Sequence, residues 1–230
     1  MSVAIALIRH AQYQQLPDTP SALQPFPLTE EGEQVALSCG EELATFLKRS
    51  GRRFHPIIYC SASLRAWQTA FLIQRVLQKK LRVSIELAES ADLCERSVGA
   101  VANLSAAKIE KIVAQDPRYA ALPSGWKSDS YYCLPFPGAE SLMQSGQRVA
   151  SFIVDTLKTF SETSEELVIF VGHGASFRHA AYQMEILSFD SIAQLSMHHA
   201  KPVILERSQN GWINLHGRWK QRQLQSQFTD

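Results

Sequence analysis

The chain has 230 residues, 45% of them hydrophobic and 20% charged, a composition that supports a full buried core and excludes global disorder. Lys plus Arg number 23 against 22 Asp plus Glu, a formal net charge of +1, so bulk charge calls for no nucleic acid and no membrane partner, and any anion binding must be local. Cys39, Cys60, Cys94 and Cys133 stand singly, and no apolar run approaches the roughly 20 residues of a membrane span or the length of a secretory leader. The expectation is a cytoplasmic protein with reduced thiols.

Val3 to Ile8 is continuously apolar and then stops on Arg9 and His10, the pattern of a fully buried strand that ends in polar residues. A Pro-bearing loop follows. From Thr29, Val35, Ala36, Cys39, Leu43, Phe46 and Leu47 recur at three- and four-residue steps and Gly51 closes the segment, which predicts a one-faced helix. "HPIIYCS" (55–61) predicts a second buried strand, residues 63–77 a helix, and "RVSIEL" (82–87) a third strand. Residues 105–115 form a short predicted helix with Ser105 as cap and Asp116-Pro117 as stop. "YYCLPFPGAE" is irregular, Ser141 to Phe160 is amphipathic and helical, and "ELVIFVGHG" (166–174) repeats the opening design by ending an apolar strand on Gly172, His173 and Gly174. Helices over 176–187 and 191–197 precede two β-like runs, "PVILER" and "GWINLH". Strands that alternate with helices predict an α/β fold, a three-layer α/β/α sandwich whose mostly parallel sheet is covered on both faces.

In an open parallel sheet, ligands bind beyond the carboxyl ends of the strands. Strand one delivers Arg9 and His10 there. Strand two delivers Ser61 and, one turn into its helix, Arg65; strand three leads to Glu95; the strand at 167–171 delivers His173. Two arginines, two histidines and a carboxylate at one rim suit a dianionic ligand, above all a phosphate. Other chemistries fit poorly. His173 and His179 are six residues apart and do not share a helix face as zinc ligands would, Ser176 lacks a nucleophile elbow, and Gly172 with Gly174 is not a dinucleotide fingerprint. His55, His179, His198, His199 and His216 are read as structural or surface residues, and Arg178 as a helix-surface or pocket-rim cation.

Six segments, "LIRHAQ", "PLTEEGEQVA", "SASLRAWQTA", "LCERSVG", "PGAESL" and "VGHGASFR", resemble in order the signature segments of the histidine phosphatase superfamily, in its phosphoglycerate mutase-like branch. The resemblance implies a phosphoglycerate mutase-like fold over 1–230 with a cap-like insertion at about 97–140. It also implies roles: His10 as the nucleophile that forms a phosphohistidine, Glu95 as general acid and then base, and Arg9, Arg65 and His173 as the phosphate-binding cradle. Positive charge around His10 lowers its imidazole pKa. The arginines and histidines supply the charge that magnesium supplies elsewhere, so neither a metal nor a cofactor is implied.

Three departures stand out. Ala11 replaces the family's usual glycine, Ser63 stands where an apolar residue is frequent, and "AQYQQLPDTPSALQPFPLTEEG" contains neither Asn nor Trp, unlike the stretch with which phosphoglycerate mutases hold their substrate. The last favours hydrolysis of a phosphomonoester, either a small phosphorylated metabolite or a phosphoprotein. The alternatives are a phosphoglycerate mutase and a catalytically inactive phosphate-ligand binding module, for which Ala11 is the sequence support. The aromatic loop Trp126 to Phe136 is positioned to shape the pocket mouth, and no motif bears on oligomeric state.

Overall fold

The computed structural model describes residues 2–20, 22–161 and 163–222. β1 (Ala4–Arg9) is buried along its whole length, and its side chains alternate between two cores. Ala4, Ala6 and Ile8 pack with α1 (Glu30–Ser50) and α2 (Leu64–Leu81), while Ile5 and Leu7 pack on the opposite face. A strand that is apolar on both faces must be covered on both faces. The second cover comes from α4 (Leu142–Leu157) and α5 (Gly174–Gln183). β4 (Glu166–Gly172) repeats the alternation, with Leu167, Ile169 and Val171 on one side and Val168 and Phe170 on the other.

β2 (Arg53–Ser61) and β3 (Glu86–Ser90) extend the parallel part of the sheet, and β6 (Val203–Ser208) and β7 (Gly211–His216) add an antiparallel edge, in the order β3-β2-β4-β1-β6-β7. β5 (Leu195–Ser196) pairs with β8 (Lys220–Gln221) in a separate small sheet, after the short α6 (Phe189–Gln194). The register of the central pair matters most. It sets Arg9 opposite Gly172, so the next residues, His10 and His173, leave the sheet side by side.

Local sequence explains most element ends. The Thr29 hydroxyl caps α1 by accepting from the Gly32 amide, and Gly51 closes that helix in the left-handed region at φ 70°. α4 opens with a capping box of Ser141 and Gln144. Two neighbouring boundaries that differ from expectation share one cause. α2 runs on to Leu81 and ends at Arg82 with φ 57°, and β3 begins at Glu86 rather than at residue 82. The reason is tertiary: Gln74 on α2 donates to the Ile85 carbonyl at 2.7 Å, which ties the connecting residues to the helix instead of the sheet.

The segment between β3 and α4, which includes α3 (Ala106–Gln115), gathers around a third, smaller core of Val98, Val101, Ile109, Trp126 and Leu134. Its ends are drawn together by a Val98–Ala139 bridge and by the Glu140 amide on the Ser97 carbonyl at 2.9 Å. Among the described residues no helix is long and apolar enough to cross a membrane.

Candidate active site

His10 leaves β1 into a buried cluster. Its ring centroid lies 5.1 Å from that of His173 and 5.4 Å from those of Tyr13 and His199. Its Nδ1 is 2.8 Å from the Ala11 carbonyl. A carbonyl can only accept, so Nδ1 carries the proton and Nε2 keeps its lone pair. Burial, and after it the neighbouring Arg65, His173, Arg9 and His199, hold His10 well below the ordinary imidazole value. The sequence identifies the charges; the larger cause is burial.

Arg65 is fully buried at the first turn of α2. Its Nη1 donates to the Gln24 carbonyl at 3.2 Å, and its Nη2 faces the Ala22 carbonyl at 3.3 Å and His173 Nδ1 at 3.2 Å. Its Nε is buried with no hydrogen-bond partner, a condition that costs free energy unless a ligand takes the N–H. Ala22 and Gln24 cover this guanidinium, and the buried Gln24 side chain joins Leu16, Thr19 and Pro20.

His173 accepts from Arg65 at Nδ1, so its proton sits on Nε2, 2.9 Å from the Ser61 hydroxyl and 3.2 Å from that of Ser63. Ser63, a minor departure in the sequence, is therefore part of the site. Burial first, then Arg65, Arg9 and Arg148, push the His173 pKa well down. In this arrangement His173 is a neutral N–H donor rather than a source of positive charge. Arg9 donates to the Met197 carbonyl at 3.2 Å and packs on Gly174, where a Cβ would lie 3.2 Å from Arg9 Cδ.

Glu95 takes an unexpected position. Its carboxylate accepts from the amides of Ala175 at 3.2 Å, Ser176 at 3.1 Å and Arg96 at 2.9 Å. It thereby caps α5, whose own N-cap residue, His173, makes no side-chain cap. This distant cap explains why α5 begins at Gly174 rather than at residue 176 as expected. Ala11 is unstrained: it is absent from the positive-φ residues, its side chain is buried in the core, and its amide donates to Thr69 Oγ1 at 3.0 Å.

His199, read from the sequence as structural or surface, takes the first of these: it is half-buried and its Nδ1 donates to the His10 carbonyl at 2.8 Å. β6 runs antiparallel to β1, so the residues just before it arrive at the carboxyl end of β1. His179 is likewise not on the surface. It is buried, with Nδ1 on the Ala175 carbonyl at 2.8 Å and Nε2 accepting from Ser130 at 3.0 Å. A cavity of about 210 Å3 shares Ala22, Glu95 and Ala175 with this cluster, and His179 and Arg178 line it too. Among the described residues no group of three or more His, Cys, Asp and Glu side chains is arranged to hold a metal ion.

Residues 5–219 match the model of the histidine phosphatase superfamily, branch 1. The chain is 27% identical over 205 residues to the 2,3-bisphosphoglycerate-dependent phosphoglycerate mutases of Bartonella tribocorum and Brucella melitensis, covering 89% of this chain and 92% of each relative. Its fold is similar to that of a mycobacterial glucosyl-3-phosphoglycerate phosphatase, with TM-score 0.69 and 18% identity over 94% of this chain and 98% of the other. It is also similar to the alpha-ribazole phosphatase of Shigella flexneri, with TM-score 0.67 and 18% identity over 92% and 94%.

Proposed function

Because the chain belongs to the histidine phosphatase superfamily, we propose that it is a metal-independent phosphomonoesterase that hydrolyses a small phosphorylated metabolite through a phosphohistidine at His10. The observation that carries this reading is the neutral, Nδ1-protonated imidazole of His10 beside a buried guanidinium with an unsatisfied Nε–H.

In the first step His10 Nε2 attacks phosphorus, the P–O ester bond breaks, and the leaving oxygen takes a proton from Glu95. In the second, Glu95 accepts a proton from water as that water attacks phosphorus. The P–N bond then breaks, inorganic phosphate departs and the imidazole returns to its starting tautomer. Arg9 and Arg65 hold the phosphoryl oxygens as charge shifts, and His173 Nε2–H turns from the serines to a third oxygen. Splitting one difficult transfer into two is the gain of covalent catalysis, and each fixed donor contributes about 10²- to 10³-fold in rate.

The size of the cavity, about 210 Å3, falls below the roughly 300–1,000 Å3 of pockets for drug-sized ligands, which favours a metabolite over a phosphoprotein. We read residues 97–140 as a cap, since Lys127, Ser128 and Ser130 line that cavity and the Ala106 amide ties the segment to the Asp18 carbonyl at 2.9 Å. A second reading, phosphoglycerate mutase, is favoured by the named activity of the 27% identical relatives. The inactive-module alternative loses its steric ground with the unstrained Ala11.

Rapid mixing with an aryl phosphate, followed by quenching in base and mass spectrometry, is expected to find a phosphoryl group on His10, with phosphoenzyme and turnover both lost in His10→Gln. Turnover that survives in that variant overturns the nucleophile. Isomerisation of 3-phosphoglycerate faster than phosphate release overturns hydrolysis in favour of the mutase.

A further inference from the structure

We propose, resting on the hydrolase reading, that Ser63 is a further phosphoryl-binding residue, whose hydroxyl donates to an oxygen of the transferring group beside His173. The first observation is a cap that is not made. Ser63 is the N-cap residue of α2, with extended backbone at φ −74° and ψ 138°, yet its side chain makes no cap hydrogen bond. Serine is favoured at an N-cap because its hydroxyl ordinarily accepts from an amide of the first turn. Here the hydroxyl is turned to His173 instead, with Ser63 Oγ 3.2 Å from Nε2. Ser63 is half-buried, whereas Ser61 and His173 are fully buried, so a ligand that enters the cluster can reach it.

The second observation concerns where the hydrogens go. Arg65 donates to His173 Nδ1, so Nε2 carries the proton and cannot accept from Ser63. Ser61 cannot accept either. Its oxygen has two lone pairs, already used by His173 Nε2–H at 2.9 Å and the Ser63 amide at 3.3 Å. The hydrogen of Ser61 itself goes to Cys94 Sγ at 3.2 Å or to Ser63 Oγ at 3.3 Å. Ser63 Oγ is therefore an acceptor toward both neighbours, and its own O–H has no acceptor among the described residues. A phosphoryl oxygen supplies one. It is anionic, it arrives beside His10, whose ring centroid is 5.1 Å from that of His173, and it draws His173 Nε2–H off the serines. When that N–H turns away, Ser61 O–H passes to Ser63 Oγ, and Ser63 O–H continues the row to the phosphoryl group. A hydrogen bond to a charged acceptor is roughly twice as strong as a neutral one. An apolar side chain at this position has no hydrogen to give.

Calorimetric binding of orthovanadate, an anion with the shape of the phosphoryl group, tests this without relying on turnover. Ser63→Ala is expected to bind it at least about tenfold more weakly than the wild type, the loss of one charge-assisted donor. Ser63→Thr keeps the hydroxyl and is expected to stay within about threefold. Because no cap is lost, circular dichroism is expected to find both variants folded. Ser63→Cys, similar in shape but only a weak donor, is expected to repeat the loss and carries the test should the alanine variant not fold. Nitrogen-detected NMR of His173 in the ligand-free proteins separates this role from a structural one. In Ser63→Ala the Nε2 proton stays on Ser61, so the His173 tautomer is expected to match the wild type. Weaker binding together with a changed tautomer assigns Ser63 to holding His173 and overturns the donor. Wild-type affinity in Ser63→Ala or in folded Ser63→Cys overturns it too, as does an equal loss in Ser63→Thr or a wild type that does not bind vanadate. A wild type that binds vanadate but releases no phosphate from an aryl ester overturns the hydrolase reading alone and leaves the comparison of variants standing.

Discussion

Arg65 Nη2 lies 3.2 Å from His173 Nδ1, and because a guanidinium has no lone pair to offer, the two histidines of the cluster carry their protons on opposite nitrogens. His10 is protonated at Nδ1, toward the Ala11 carbonyl, and His173 at Nε2, toward Ser61. Nitrogen-detected histidine NMR at pH 7 is expected to show both rings neutral and in these two different tautomers. A charged ring at either position, or a shared tautomer, contradicts the geometry of the nucleophile.

Replacing Arg65 with lysine keeps the charge and removes the fork. The single ammonium cannot reach the Ala22 and Gln24 carbonyls, His173 Nδ1 and a phosphoryl oxygen together. The expected loss is about 10²- to 10³-fold in kcat, measured by phosphate release, with the fold checked by circular dichroism. A loss under about threefold contradicts the placing of Arg65 in the phosphate cradle.

Glu95 has two duties to separate, capping α5 and moving a proton. Glu95→Gln keeps an amide oxygen for the Ala175 and Ser176 amides but cannot exchange a proton. With an alkyl phosphate, whose leaving oxygen needs protonation, kcat is expected to fall about 10²- to 10⁴-fold. With 4-nitrophenyl phosphate, whose leaving group departs as an anion, the first step is expected to be far less affected, read as a burst of nitrophenolate ahead of slow turnover. Equal losses in the first step for both esters assign Glu95 to positioning alone.

Legibility in the sequence follows how local each determinant is. β1 and β4 are plain because an apolar run that stops on charged or glycine residues is a local pattern, and one register, Arg9 beside Gly172, then brings His10 and His173 together. The start of α5 is hidden because its cap, Glu95, lies 80 residues away in sequence from Ala175. β3 is displaced because Gln74 of the preceding helix captures Ile85. His199 reaches His10 only through the antiparallel turn of the sheet at β6, a feature that alternating strands and helices do not announce. Arg96, Lys127 and Arg222 each look like ordinary surface charge until the 97–140 segment and the small β5–β8 sheet bring them to one cavity.

The buried histidines also set how the fold responds to acid. Burial, with Arg178, Arg96 and Arg222 nearby, lowers the His179 pKa to about 4 against the pull of the Ala175 carbonyl, whereas an unfolded histidine titrates near about 6.5. Above that value the ring is neutral in both states and contributes no pH dependence. As pH falls below it, the unfolded chain takes up a proton that the folded chain refuses, so stability is lost progressively until about pH 4, where the folded ring titrates as well. The slope from one such group is at most about 1.4 kcal/mol per pH unit. His10 and His173 act with the same sign and remain in a His179→Gln variant, so the difference between the two proteins isolates His179. Urea unfolding at pH 6.0, 5.5 and 5.0 is expected to give the variant a shallower loss of stability by about 1 kcal/mol per pH unit. Parallel slopes would mean that His179 titrates alike in both states and that Ser130 and Ala175 do not hold it as a neutral, buried ring.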